Sequence, residues 1–277
     1  MLRGHIRESF NSNTLYNFVK ELSNLFPDLN IYIHTWNIFA NNLSWRKIEN
    51  NNNIVDDNII FNYFNDLKHL IKKIIIDDDS KIELIGNLNG NVGLSTMPLK
   101  GWKNYWYGKY NIINYIYNTD IDKNEFVINT RFDLFYNSHN FNYLQIINFI
   151  KNNNKNLFTE NKFLINKYQH GIDNIYIGNI NTIYKLIHKF YYELDNILIE
   201  HIDYSLNQEK LVFLLNYKLF NDKLFNDKLF NDKLFNNKLF NDKLIYEQIM
   251  YNKLIYNNSQ YKLLLNQNYR KLSYKKK

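Results

Sequence analysis

The chain has no cysteine, which excludes disulfides and thiolate metal sites. Glycine and proline are scarce as well, at 8 and 2 of 277 residues. Neither G-x-G-x-x-G nor a Walker pattern occurs, so the standard glycine-rich phosphate cradles are excluded. No apolar run approaches the roughly 20 residues that a membrane span needs. Residues 1–10 are charged and lack the apolar segment of a secretory leader, so a cytoplasmic location is expected. Three consecutive acids, Asp77, Asp78 and Asp79, invite a metal site. Consecutive side chains diverge in any regular structure, however, so they read as a solvated turn.

Other features are abundant. Hydrophobic residues make up 45% of the chain, with 20 Phe and 23 Tyr, enough to bury a sizeable core. Heavy use of Asn, Ile, Lys and Tyr resembles an AT-rich coding bias. The formal charge of +7 fits an anionic donor or an anionic membrane surface, and it fits lysine-rich coding equally well.

Leu2–Arg3 reads as the end of a first strand, followed by a loop holding Gly4, His5 and Arg7. Gly4 would let backbone approach a ligand closely, and Arg3, His5 and Arg7 would offer donors to phosphate. An unremarkable basic terminus gives the same pattern. Leu15, Phe18, Val19, Leu22 and Phe26 predict an amphipathic helix over 14–26, capped by Asn13. Residues 30–37 predict a second strand, so a parallel sheet is expected. Apolar spacing from Ile59 to Ile75 predicts a helix over 58–76. Gly86, Gly90, Gly93 and Gly101 cluster with Pro98 and predict a flexible loop. Trp102 and Trp106 offer faces to a sugar or base, with Lys103 and Lys109 near phosphate; core packing is the alternative. A helix is expected over 107–117, and another around Ile183 to Leu198 with Asn181 as its cap.

Residues 126–133, F-V-I-N-T-R-F-D, read as a buried strand that delivers Arg131 and Asp133 to its carboxyl end. In open α/β sheets that edge is where ligands bind. Asp133 can hold a divalent cation through oxygen, and Arg131 can meet phosphate. Together they suggest a nucleotide-diphosphate site; a structural ion pair is the competing explanation. Two acids are candidates for a general base. Asp173 follows a glycine turn and precedes a strand, and Glu209 opens a helix. The helix dipole lowers the basicity of Glu209, which favours Asp173.

Residues 218–242 are five tandem copies of K-L-F-N-D, the fourth ending in Asn237. Five residues advance an α-helix by about 140° beyond a full turn, so the Leu-Phe pairs form no stripe. In a strand the odd period flips each copy to the opposite face. The division expected is a transferase-like domain over 1–217, the repeat over 218–242 and a helical basic tail over 243–277. The tail's Lys275, Lys276 and Lys277 would allow peripheral contact with the inner membrane.

The segments R-G-H-I-R-E-S, I-Y-I-H-T-W-N, G-W-K-N-Y-W-Y-G-K-Y, V-I-N-T-R-F-D, G-I-D-N-I-Y-I-G-N and N-Q-E occur in order over residues 1–216. This ordered set resembles the capsular-polysaccharide sugar transferases of the Campylobacter type. The resemblance implies an α/β fold: a Rossmann-like, GT-A-type mixed sheet flanked by helices. It also implies transfer from a nucleotide-activated donor to a growing polysaccharide or lipid-linked glycan. Some relatives transfer O-methyl phosphoramidate to capsule sugars instead. The family's acidic donor motif falls on Arg131 and Asp133, with manganese or magnesium as the implied cation. Its first-loop residues fall on Gly4, His5 and Arg7. Arg131 stands where the first Asp of a D-x-D motif would be, so Arg131 would neutralise phosphate itself. The rival from another class is a nucleic-acid-binding module. The basic residues are dispersed and no recognition motif is present, so no nucleic acid is expected.

Overall fold

The computed structural model describes residues 1–43, 49–92, 96–135, 143–144, 147–148, 150–151, 176–200 and 212. The repeat, the basic tail, Asp173 and Glu209 lie outside the described residues.

The strands are β1 (Leu2–Arg3), β2 (Ile31–Trp36), β3 (Ile38–Ala40), β4 (Asn51–Ile54), β5 (Ile71–Asp77), β6 (Phe126–Arg131) and β7 (Tyr176–Asn179). The helices are α1 (Thr14–Leu25), α2 (Asp57–Phe64), α3 (Leu99–Tyr117) and α4 (Ile180–Glu200). Five strands form one sheet in the order β5-β2-β1-β6-β7. All its pairings are parallel except β6 with β7. The fold is therefore mixed α/β with a mostly parallel sheet, as expected. The two-residue β1 lies at its centre, where Arg3 pairs with His34 on one side and Arg131 on the other. β3 and β4 form a separate antiparallel pair.

Side-chain alternation divides the sheet between two cores. Leu2, Ile31, Ile33 and Ile177 pack with Leu15 and Phe18 of α1 and Ile60 and Phe64 of α2. On the other face, Tyr32 and Val127 pack with Trp102, Trp106 and Ile113 of α3 and with Ile183 and Phe190 of α4. The same alternation puts His34, Trp36 and Asn129 on the α3 side.

Several local expectations change. The α-helix predicted over 58–76 ends at Phe64; a 3-10 turn over Asn65–Leu70 follows, and the remainder from Ile71 is β5. Ile74, Ile75 and Ile76 are β-branched neighbours, and lining up beside β2 satisfies their backbone where a helix would crowd their side chains. The aromatic segment after the glycine-rich stretch belongs to α3, which starts at Leu99. Trp102 and Trp106 are fully buried, so they pack the core and present no face to a sugar. Lys103 is buried too and bonds the Ile85 carbonyl and Asp195 at 2.8 Å, tying the segment before α3 to α4. Asn13 makes no side-chain cap on α1, whereas the Ser12 hydroxyl accepts from the Thr14 N–H at 3.4 Å. The cap of α4 is Asn179, whose side-chain oxygen accepts from the Thr182 N–H at 2.7 Å, and not Asn181. Among the described residues, no helix is long and apolar enough to cross a membrane.

Candidate functional site

The loop after β1 and the residues after β6 meet at the carboxyl edge of the sheet. They bring together six residues singled out in the sequence: Arg3, Gly4, His5, Arg7, Arg131 and Asp133. Gly4 has φ +90°, a conformation that favours glycine. A Cβ there would meet nothing within 4 Å, so the backbone faces open space. Its N–H donates to the His34 carbonyl at 3.1 Å, and its own carbonyl accepts from the Thr35 hydroxyl at 3.0 Å. Arg7 also lies in the left-handed region, at φ 51°, with its N–H bonded to the Phe39 carbonyl at 2.9 Å. A bulky residue in that region carries strain, which persists only where surrounding contacts fix it.

Asp133 is the anion of this cluster. Its Oδ2 accepts from Arg7 Nη1 at 2.8 Å, and its Oδ1 accepts from Arg131 Nε at 2.5 Å. Arg131 Nη2 also donates to Oδ2, making a forked pair. Burial pushes the Asp133 carboxyl up. The charges of Arg131, Arg7 and Arg3 outweigh that and hold it well below the usual carboxylate range. Both carboxylate oxygens are thus engaged by guanidinium groups, and this arrangement does not fit a metal ligand. The side chains of Arg7 and Arg131 remain 25% and 22% exposed, so the cluster is reachable from solvent.

Arg3 sits deeper. Its Nε donates to Asn129 Oδ1 at 3.0 Å and its Nη2 to the Tyr105 hydroxyl at 2.8 Å, with the guanidinium carbon 4.2 Å from the Tyr105 ring centre. Lys109 Nζ, on the next turn of α3, lies 3.8 Å from the same ring and 3.9 Å from that of Trp106. Arg3 therefore supports the cluster from beneath. Lys109 is fully buried beside Tyr105 and Trp106, not the solvent-facing position that phosphate contact would need.

His5 lies beside Arg7, its ring centre 5.9 Å from that of Trp36. Burial first, and then the Arg7 charge, push its pKa down to about 3. The imidazole is neutral in the folded chain at pH 7 and takes up a proton near pH 6.5 when unfolded. Between pH 6.5 and 3 the unfolded state binds more protons, so acidification removes stability. Wild type should lose up to about 1 kcal/mol per pH unit more than His5→Gln between pH 6.5 and 4.5. Urea midpoints at three pH values measure this; parallel lines for the two proteins would show that His5 does not carry the effect.

A second polar pair, not foreseen as a pair from the sequence, links β2, the strand beside β1, to β5. His34 Nε2 is 3.1 Å from Asp77 Oδ2, which also accepts from Asn111 Nδ2 at 3.1 Å. His34 is fully buried, and a Cβ on Gly108 of α3 would lie 2.6 Å from its Nδ1, so the ring requires glycine opposite it. Asp77 is thus the end of β5 and an anchor between the sheet and α3. Asp78 does form a turn, accepting from Ser80 and pairing with Lys81. Asp79 accepts from Asn41. Among the described residues, no group of three His, Asp or Glu is placed to hold a metal ion. No protein-family model, curated protein or solved structure matches the chain.

Proposed function

We propose that the chain is a transferase working on a nucleotide-activated donor, with the donor's diphosphate held at the carboxyl edge by Arg7 and Arg131. The observation that carries this reading is the convergence of two partly exposed arginines on buried Asp133, beside the open backbone of Gly4. Guanidinium groups present planar, paired donors that match phosphate oxygens. Asp133 fixes both arginines in advance, so less is lost in ordering them when the ligand arrives. Strain held at Arg7 supports a functional loop.

In this reading Arg7 and Arg131 supply the positive charge that stabilises the leaving diphosphate, the largest contribution in many transfer reactions. Arg3 and His5 position the loop, and Asp133 orients the arginines. Asp173 is the proposed base for an acceptor hydroxyl, ahead of Glu209. The resemblance to capsular sugar transferases makes a sugar the proposed group and a surface glycan the proposed acceptor, on a sheet of the GT-A type. Thermal-shift screening of nucleotide-activated donors, with and without manganese, tests the proposal. Binding to the folded state raises the melting temperature. The expected result is a shift with at least one donor that persists without manganese. A shift only with manganese would overturn the arginine-based account, and no shift with any donor would overturn the donor class.

A further inference from the structure

The opposite edge of the sheet holds a cavity of about 580 Å³. Native interiors contain few voids larger than a water molecule, whereas volumes of roughly 300–1,000 Å³ are those of small-molecule sites. The cavity lies where the two cores meet, with Phe18, Leu22, Ile116, Val127 and Ile177 among its walls. Its mouth has a different chemistry: Asp28, Asp122 and Glu125 line it, and all three are exposed. Among the described lining residues none is Lys or Arg, although Lys and Arg outnumber Asp and Glu by 34 to 27 in the chain. The Met1 amino group, also at this edge, is turned onto the Ile128 carbonyl at 2.9 Å. Apolar walls, aliphatic and aromatic, behind an acidic mouth match a ligand with one apolar chain and a cationic head.

We propose that this cavity binds a single-chain aliphatic amphiphile whose head group is an ammonium. The chain seats among the apolar walls, and the head meets the carboxylates of Asp28, Asp122 and Glu125. A carboxylate or phosphate head would meet like charge there. The cavity is a pocket closed on several sides by α1, β2 and β6 residues, so its size suits an alkyl chain and not a partner helix. This inference is independent of the donor site, because the two lie at opposite ends of the strands.

The test is calorimetric titration of the full chain with decylamine, decanol and decanoate, each below its micelle concentration. Decylamine should bind at least about tenfold more tightly than decanoate, with decanol between them. Val19→Phe and Leu25→Trp each place a ring in the cavity and should abolish binding of all three. If Val19→Phe fails to fold, Leu25→Trp, at a half-buried position, decides alone. Joint replacement Asp28→Asn with Glu125→Gln should narrow the amine-over-acid preference and leave decanol unchanged. The proposal is overturned if wild type binds none of the three, if decanoate binds as tightly as decylamine, or if the filled variants bind like wild type.

Discussion

Asp133→Asn should lower stability by about 3 kcal/mol, the usual scale for removing one partner of a buried ion pair. In a domain of this size that is a fall in melting temperature of roughly 10 °C. Asp133 is 7% exposed and its carboxylate bonds both Arg7 and Arg131, and an amide of the same shape keeps the volume while removing the charge. From the sequence alone, the same variant is expected to stay folded and lose only turnover. Burial at the junction of two arginines changes that expectation. The sign with pH follows from the depressed carboxyl. The contribution is fully present above the ordinary carboxylate value and is lost as pH falls through the folded one. Scanning calorimetry at neutral pH measures the loss. A melting temperature within 2 °C of wild type would mean that charge on Asp133 does not hold the cluster together.

Trp106→Ala should cost about 4 kcal/mol, within the range for truncating a buried aromatic side chain. The indole is fully buried. It stacks on Phe190 with ring centres 4.0 Å apart and planes 3° from parallel, and it meets Tyr105 edge-on at 5.3 Å. It is one of several ring contacts, with Tyr110–Tyr191 and Tyr117–Tyr184, through which α3 and α4 pack together. Urea denaturation should show the loss. Near-native stability combined with selective loss of donor binding would return Trp106 to the sugar-stacking role that its sequence context suggests.

The legible parts of this molecule are those in which local pattern and tertiary demand agree. The apolar run before Arg131 and Asp133 forms a strand, because an interior strand flanked by β1 and β7 and covered on both faces needs apolar residues on each. The helix over Thr14–Leu25 follows its apolar spacing. Ile71–Asp77 was not legible, because its isoleucines continue a helical spacing begun at Ile59. Only the neighbouring β2 decides between helix and strand there. The aromatic segment of α3 was ambiguous for a related reason: Trp102 and Trp106 at helical spacing serve a core as readily as a sugar. In the site, the sequence shows which residues stand at the strand ends but not which of them touch. R-x-D is compatible with a metal ligand or an ion pair, and the added contact from Arg7, 126 residues away, selects the ion pair. The His34–Asp77 contact depends on a strand pairing that no local signal announces.

The central claim is that the arginines at the carboxyl edge hold a diphosphate. Its most direct test is calorimetric titration of a panel of nucleoside diphosphates, without divalent cation, into wild type, Arg7→Ala and Arg131→Ala. Each variant is first shown to be folded by its melting transition. At least one nucleoside diphosphate should bind wild type, with affinity that falls as salt is added. Arg131→Ala and Arg7→Ala should each weaken it by about 10- to 100-fold, the scale of one or two charge-assisted hydrogen bonds. Equal affinity in all three proteins, or no binding by wild type at low salt, would contradict the account.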